Sequence, residues 1–114
     1  MKVTELIVGD WVLDGTQIAQ ITSITCDGVI ETTANESSNI EVIAPVPLTA
    51  EILEKNGFEF DGDEIYKLGD YHLVIEYRGG LFFGWVFCCR KQLNYVHELQ
   101  HAMKLCGIDI NIEL

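Results

Sequence analysis

The chain has 114 residues, 48% of them hydrophobic and 22% charged, with 7 Lys plus Arg against 18 Asp plus Glu and a formal net charge of −11. This length suits one compact domain or two small modules sharing a core, and the composition excludes a disordered chain. Up to Pro47 only Lys2 opposes seven acids, and beyond it six basic residues oppose eleven, so the spread acidity argues against direct binding of nucleic acid or of anionic membranes.

In chain order, Met1 to Leu13 is interrupted by Lys2, Glu5 and Asp10 before an apolar stretch long enough for an export signal can form. Four β-branched segments follow: Asp10 to Asp14, Gln17 to Cys26, Gly28 to Thr33 and Asn39 to Ala44. Asp14-Gly15, Asp27-Gly28 and the polar tract ANESSN separate them as turns. Ile18, Ile21 and Ile24 break strict alternation, which predicts a bulge or bend. Short strands with tight turns predict a small curved sheet or a barrel, and LIVGDWV resembles the opening strand of SH3-like barrels.

The APVP segment, Ala44 to Pro47, holds the chain extended and divides it into an N-terminal β module (1–47) and a C-terminal α+β module (48–114). A short helix is expected next, with Thr49 as N-cap and Glu51 in the first turn. Leu48 stands at staple spacing from Leu53, and Gly57 is placed for a left-handed stop with Phe58 folding back. FEF, Asp61-Gly62 and IYKL spell one hairpin. YHLVIEYR, Gly79-Gly80 and LFFGWVFCC spell another.

A two-residue turn at Gly79-Gly80 sets Tyr77 opposite Phe82, Ile75 opposite Gly84, Leu73 opposite Val86 and Tyr71 opposite Cys88. The reverse face then pairs Glu76 with Phe83, Val74 with Trp85 and His72 with Phe87. One face is apolar enough to need helices over it. A closing helix is expected from Lys91 to about Cys106, stopped by Gly107. The fold class is therefore α+β, a curved sheet or SH3-like barrel followed by an α-β-β-β-β-α unit with an antiparallel sheet.

HELQH, His97 to His101, matches the H-E-x-x-H of zinc hydrolases, with His97 and His101 as ligands and Glu98 as base. Three features oppose that chemistry. At 100° per residue Val96, Leu99, Met103 and Cys106 form the apolar stripe, which turns the histidines toward water. Gly107 stands where the metzincin pattern needs a third histidine, and Lys104 shares the histidine face. No cofactor is called for, and a small-molecule ligand is disfavoured.

The remaining candidates have plain structural readings. Cys88 and Cys89 are neighbours on a strand and should face opposite ways, unlike a C-x-x-C redox pair. Four cysteines behind no export signal suit reduced thiols in a cytoplasm. His72 is expected to pack beside Val74, Trp85 and Phe87, with Glu76 one pair along. Asp61-Gly62-Asp63-Glu64 fails the EF-hand spacing, Arg78-Gly79-Gly80 lacks the setting of a phosphate loop, and Gly84 marks a bulge or a close approach.

Trp11, Phe82, Phe83 and Trp85 carry the most functional weight, because aromatic side chains in excess of a small core anchor interfaces. GDWV, PVPLTAEILEKNGF and YVHELQ together resemble a family of small proteins of no established activity from gut-anaerobe bacteria and their mobile elements or prophages. In that family asparagine and apolar residues follow YVHELQ, whereas His101-Ala102 follows here, which marks the second histidine as incidental. The resemblance implies a bacterial cytoplasmic setting and an accessory role. The function expected is a non-enzymatic module that binds a protein partner or itself. The alternatives are an acidic mimic occupying the groove of a nucleic-acid-binding protein, and a zinc hydrolase.

Overall fold

A computed structural model describes residues 5–86 and 89–114. It contains an antiparallel four-stranded sheet, an antiparallel five-stranded sheet and two α-helices. The chain forms two compact units, Met1–Val46 and Pro47–Leu114.

In the first unit β1 (Trp11–Asp14), β2 (Gln17–Ile24), β3 (Ile30–Thr32) and β4 (Ile43–Pro45) lie in the order β3-β2-β1-β4. Among the described residues this sheet stays open and does not close into the barrel that was one of the two expected forms. The β2–β3 register shifts between Ile21 and Ser23, where the isoleucine spacing predicts a bulge. Leu6, Val12, Ile21, Ile30 and Ile43 form the core, with Ile24 and Ile40 packed on it.

The fourth expected strand is half helical. Asn39 accepts from the Glu41 N–H and starts a 3-10 turn, Ile40–Val42, so pairing with β1 begins only at Ile43. Pro45 remains in β4, opposite Val12, where an edge strand can spare the missing N–H.

The second unit opens with α1 (Ala50–Lys55), capped by Thr49 Oγ1, which accepts from the Ile52 N–H at 3.3 Å. Gly57 adopts φ +90°, and the Phe58 and Gly57 N–H groups donate to the Leu53 and Glu54 carbonyls, the Schellman closure. Leu48, Leu53 and Phe58 are all buried. Asn56 at the C-cap holds the C-terminal segment: its Nδ2 donates to the Glu113 carbonyl and its Oδ1 accepts from the Glu113 N–H.

The sheet of this unit runs β5-β6-β7-β8-β9, with β5 Glu59–Phe60, β6 Ile65–Lys67, β7 Val74–Arg78, β8 Leu81–Val86 and β9 Cys89–Gln92. The β7–β8 register is the one the Gly79-Gly80 turn dictates, from Arg78 opposite Leu81 to Val74 opposite Trp85. The ladder is shorter than expected. β7 starts at Val74, so Leu73 is buried but lies outside the pairing, and the expected partners Phe87 and Cys88 fall outside the described residues.

The chain does not continue as one strand to Cys89. It reverses, Val86 faces Cys89, and a fifth strand takes residues assigned to the closing helix. That helix, α2, spans Val96–Leu105. Leu93 decides the matter: its N–H donates to the Phe82 carbonyl and its side chain settles over Gly84, which fixes Lys91 and Gln92 as strand. α2 packs against β8, and Gly107 at φ +73° ends it with Ile108 folded back onto the Met103 carbonyl.

Candidate functional site

The HELQH segment fills the first turn and a half of α2. Val96, Leu99, Ala102 and Met103 are buried as the apolar stripe requires. Glu98 is the third residue of the helix, and its Oε1 accepts from the Asn94 and Tyr95 N–H groups at 2.9 and 3.1 Å. A carboxylate folded back on the helix start satisfies two donors that have no intrahelical acceptor. That oxygen is committed to the helix start, where the base of a zinc hydrolase would instead have to face a metal-bound water.

The histidines do not both face water, which corrects the helical-wheel expectation. His97 is only 5% exposed and His101 is half-buried, with their rings 5.6 Å apart edge to face. A wheel sees only the helix, whereas Tyr95, at the N-cap, stacks on His97 with centroids 5.9 Å apart and planes 7° from parallel. Among the described residues no three His, Cys, Asp or Glu side chains gather where a metal ion could be held.

The four aromatic candidates separate. Trp11 is half-buried on β1, opposite Gln20, in the first unit. Phe82, Phe83 and Trp85 share β8 in the second, and strand alternation turns them to different faces. Phe82 is a core residue between Tyr66 and Tyr77, with ring centroids at 6.2 and 4.9 Å.

Phe83 and Trp85 lie on the other face, where Ile65, Glu76, Phe83 and Gln92 form one cross-strand row and Lys67, Val74, Trp85 and Arg90 the next. Trp85 is 37% exposed and Leu81 44%. The Arg90 guanidinium sits 3.8 Å above the Phe83 ring and 2.7 Å from Glu76. Arg78 bridges Glu64 at 3.0 Å and reaches Glu76 at 3.9 Å, and its attraction to Glu64 holds it even more firmly protonated than an ordinary guanidinium. The face is thus an aromatic and aliphatic strip threaded by ion pairs.

The remaining candidates resolve into local structure. His72 is exposed in the turn before β7, so it does not pack among Val74 and Trp85 as expected. Asp61 Oδ1 accepts from the Asp63, Glu64 and Ile65 N–H groups, which closes the β5–β6 turn and lowers its pKa. Gly84 lies in regular register rather than at a bulge, and a Cβ there would stand 2.8 Å from Leu93 Cδ1. Cys26 and Cys89 are exposed free thiols. Cys106 is half-buried, which pushes its thiol pKa up. Cys88 lies outside the described residues.

Two features went unread in the sequence. Asp14, 5% exposed, accepts at Oδ2 from Thr32 Oγ1 (2.7 Å), Ser38 Oγ (2.8 Å) and Asn35 Nδ2 (3.1 Å). Burial pushes its pKa up, but the three hydrogen bonds prevail and hold it below the ordinary 3.8. The polar tract between β3 and β4 therefore exists in part to solvate one buried carboxylate. The second feature was available from counting. No Asp or Glu occurs in the 21 residues between Glu76 and Glu98, yet three of the seven basic residues, Arg78, Arg90 and Lys91, fall there. Acidity is not evenly spread after all.

Comparison with protein-family models, with curated proteins and with solved structures gives no match to this chain. No helix among the described residues is long and apolar enough to cross a membrane.

Proposed function

We propose that the chain is a non-enzymatic protein-interaction module whose contact surface is the outer face of the five-stranded sheet, centred on Phe83 and Trp85. One observation carries this reading. A central strand places Trp85, more than a third exposed, in a row with Val74, beside a Phe83 that Arg90 covers. Aromatic and arginine side chains on a shared rigid face are what the energetic centres of interfaces are made of. Of the ion pairs around them, Arg78 with Glu64 is exposed on both sides, stabilises the monomer little, and can re-form across a contact.

The same proposal sets aside hydrolysis at HELQH, because Glu98 is occupied in capping α2. The resemblance of GDWV, PLTAEILEKNGF and YVHELQ to small proteins of gut-anaerobe mobile elements supplies the setting, an accessory role in a bacterial cytoplasm. Trp85→Asp is the test, because it charges the face without touching the core. Sedimentation across a wide concentration range and capture from host lysate should both show an association that wild type makes and the variant lacks. Indistinguishable behaviour of the two proteins in both measurements overturns the reading.

A further inference from the structure

The five-stranded sheet ends at β9. Among the described residues β9 pairs only with β8, and all four of its residues are exposed. The direction of its backbone groups follows from one hydrogen bond. The Leu93 N–H donates to the Phe82 carbonyl, so Leu93, and with it Lys91 and Cys89, turn their main-chain groups toward β8. In an antiparallel ladder this direction alternates, so Arg90 and Gln92 direct N–H and C=O away from the sheet. An extended segment can dock on such a row.

Charge selects the occupant. Arg90 and Lys91 are adjacent in sequence, so their side chains fall on opposite faces of the sheet, inside the 21-residue stretch free of carboxylates. A second copy of β9 would bring the same two cations against them, and like charges placed opposite one another disfavour that pairing. We infer that the β9 edge takes an extended segment of a partner protein carrying two consecutive acidic residues, one meeting Arg90 on the outer face and the other meeting Lys91 on the opposite face. This inference rests on the interaction-module reading and adds a sheet edge to the face that reading uses. Arg90 already pairs with Glu76 and lies over the Phe83 ring, so the partner's acid shares a guanidinium with Glu76, whereas Lys91 offers its charge with no ion pair among the described residues.

A displayed library of random peptides, panned against the whole protein, tests the inference. Enriched clones should carry adjacent Asp or Glu and bind at least about tenfold more weakly to Lys91→Glu. They should also slow hydrogen exchange at the Arg90 and Gln92 amides. Gln92→Pro removes an outward N–H while leaving the bonds to β8, and should weaken the same clones comparably. If that variant does not fold, amide exchange in the wild type still locates the peptide. Failure to enrich any clone, enrichment of clones without acids, or protection confined to other amides overturns the inference. Trp85→Asp separates the two readings, because clones that bind away from β9 but lose binding in that variant leave the sheet face standing and sink the edge.

Discussion

At the scale of single residues, two side chains carry constraints that hydropathy does not show. Asp14 sits on the core face of β1, and its charge survives there because three donors converge on one oxygen. Asp14→Ala strands the buried Thr32 and Ser38 hydroxyls and should cost upward of about 3 kcal/mol by denaturant titration, with Asp14→Asn in between. The pH dependence has a definite sign. A carboxyl whose folded pKa lies below its unfolded 3.8 contributes stability that is complete above 3.8 and is lost as pH falls through the folded value. The gap between wild type and Asp14→Asn should therefore be constant near neutrality and close in acid, and a gap that widens in acid would refute the assignment. Gly84 is the second case. Leu93 is fully buried and cannot withdraw, so Gly84→Ala should cost roughly 1–3 kcal/mol, and Leu93→Val in the same chain should recover part of it. Simple additivity of the two changes would show that the close approach is not what excludes the methyl.

At the scale of elements, the sequence was most legible where a local rule and a tertiary need agree. Thr49, Gly57 and Phe58 bracket α1 because cap, left-handed stop and hydrophobic return all lie within a few residues of the helix they serve. Gly79-Gly80 fixed the β7–β8 register for the same reason. Legibility failed where a distant residue decided. Nothing within Arg90-Lys91-Gln92 announces a strand; Leu93 over Gly84 and Arg90 over Phe83 do, and both contacts belong to β8. A helical wheel misplaces His97 because it leaves out Tyr95, whose ring stacks on the imidazole from the N-cap. Glu98 is the element-scale counterpart of Asp14: as the capping residue of α2 it should be worth about 1 kcal/mol. Glu98→Ala should lower the melting temperature and speed exchange of the Asn94 and Tyr95 amides. Glu98→Gln, which keeps an acceptor oxygen, should recover much of the loss. A melting temperature unchanged by either would mean that the capping bonds are replaced by water without cost.

At the scale of the whole molecule, charge is the organising quantity. A formal −11 on 114 residues is self-repulsion that folding concentrates, and solution ions relieve it at a range of about 8 Å at physiological ionic strength. Of the ion pairs that salt would weaken, Arg78 with Glu64 is exposed and contributes little, whereas Arg90 with the largely buried Glu76 is better shielded from salt. The two effects oppose each other, and the number of unbalanced acids decides which prevails. Melting temperature should therefore rise as monovalent salt increases from a dilute buffer to physiological strength. The carboxylate-free stretch between Glu76 and Glu98 makes a further distinction, since Lys91 stands there without an acid within fourteen residues before it. Lys91→Glu removes one of the few cations and should steepen the salt dependence, whereas Glu36→Lys, in the polar tract, should flatten it. If salt instead lowers the melting temperature of the wild type, local pairing outweighs net repulsion, and the outer sheet face is then a closed network of charges rather than a surface kept open for a partner.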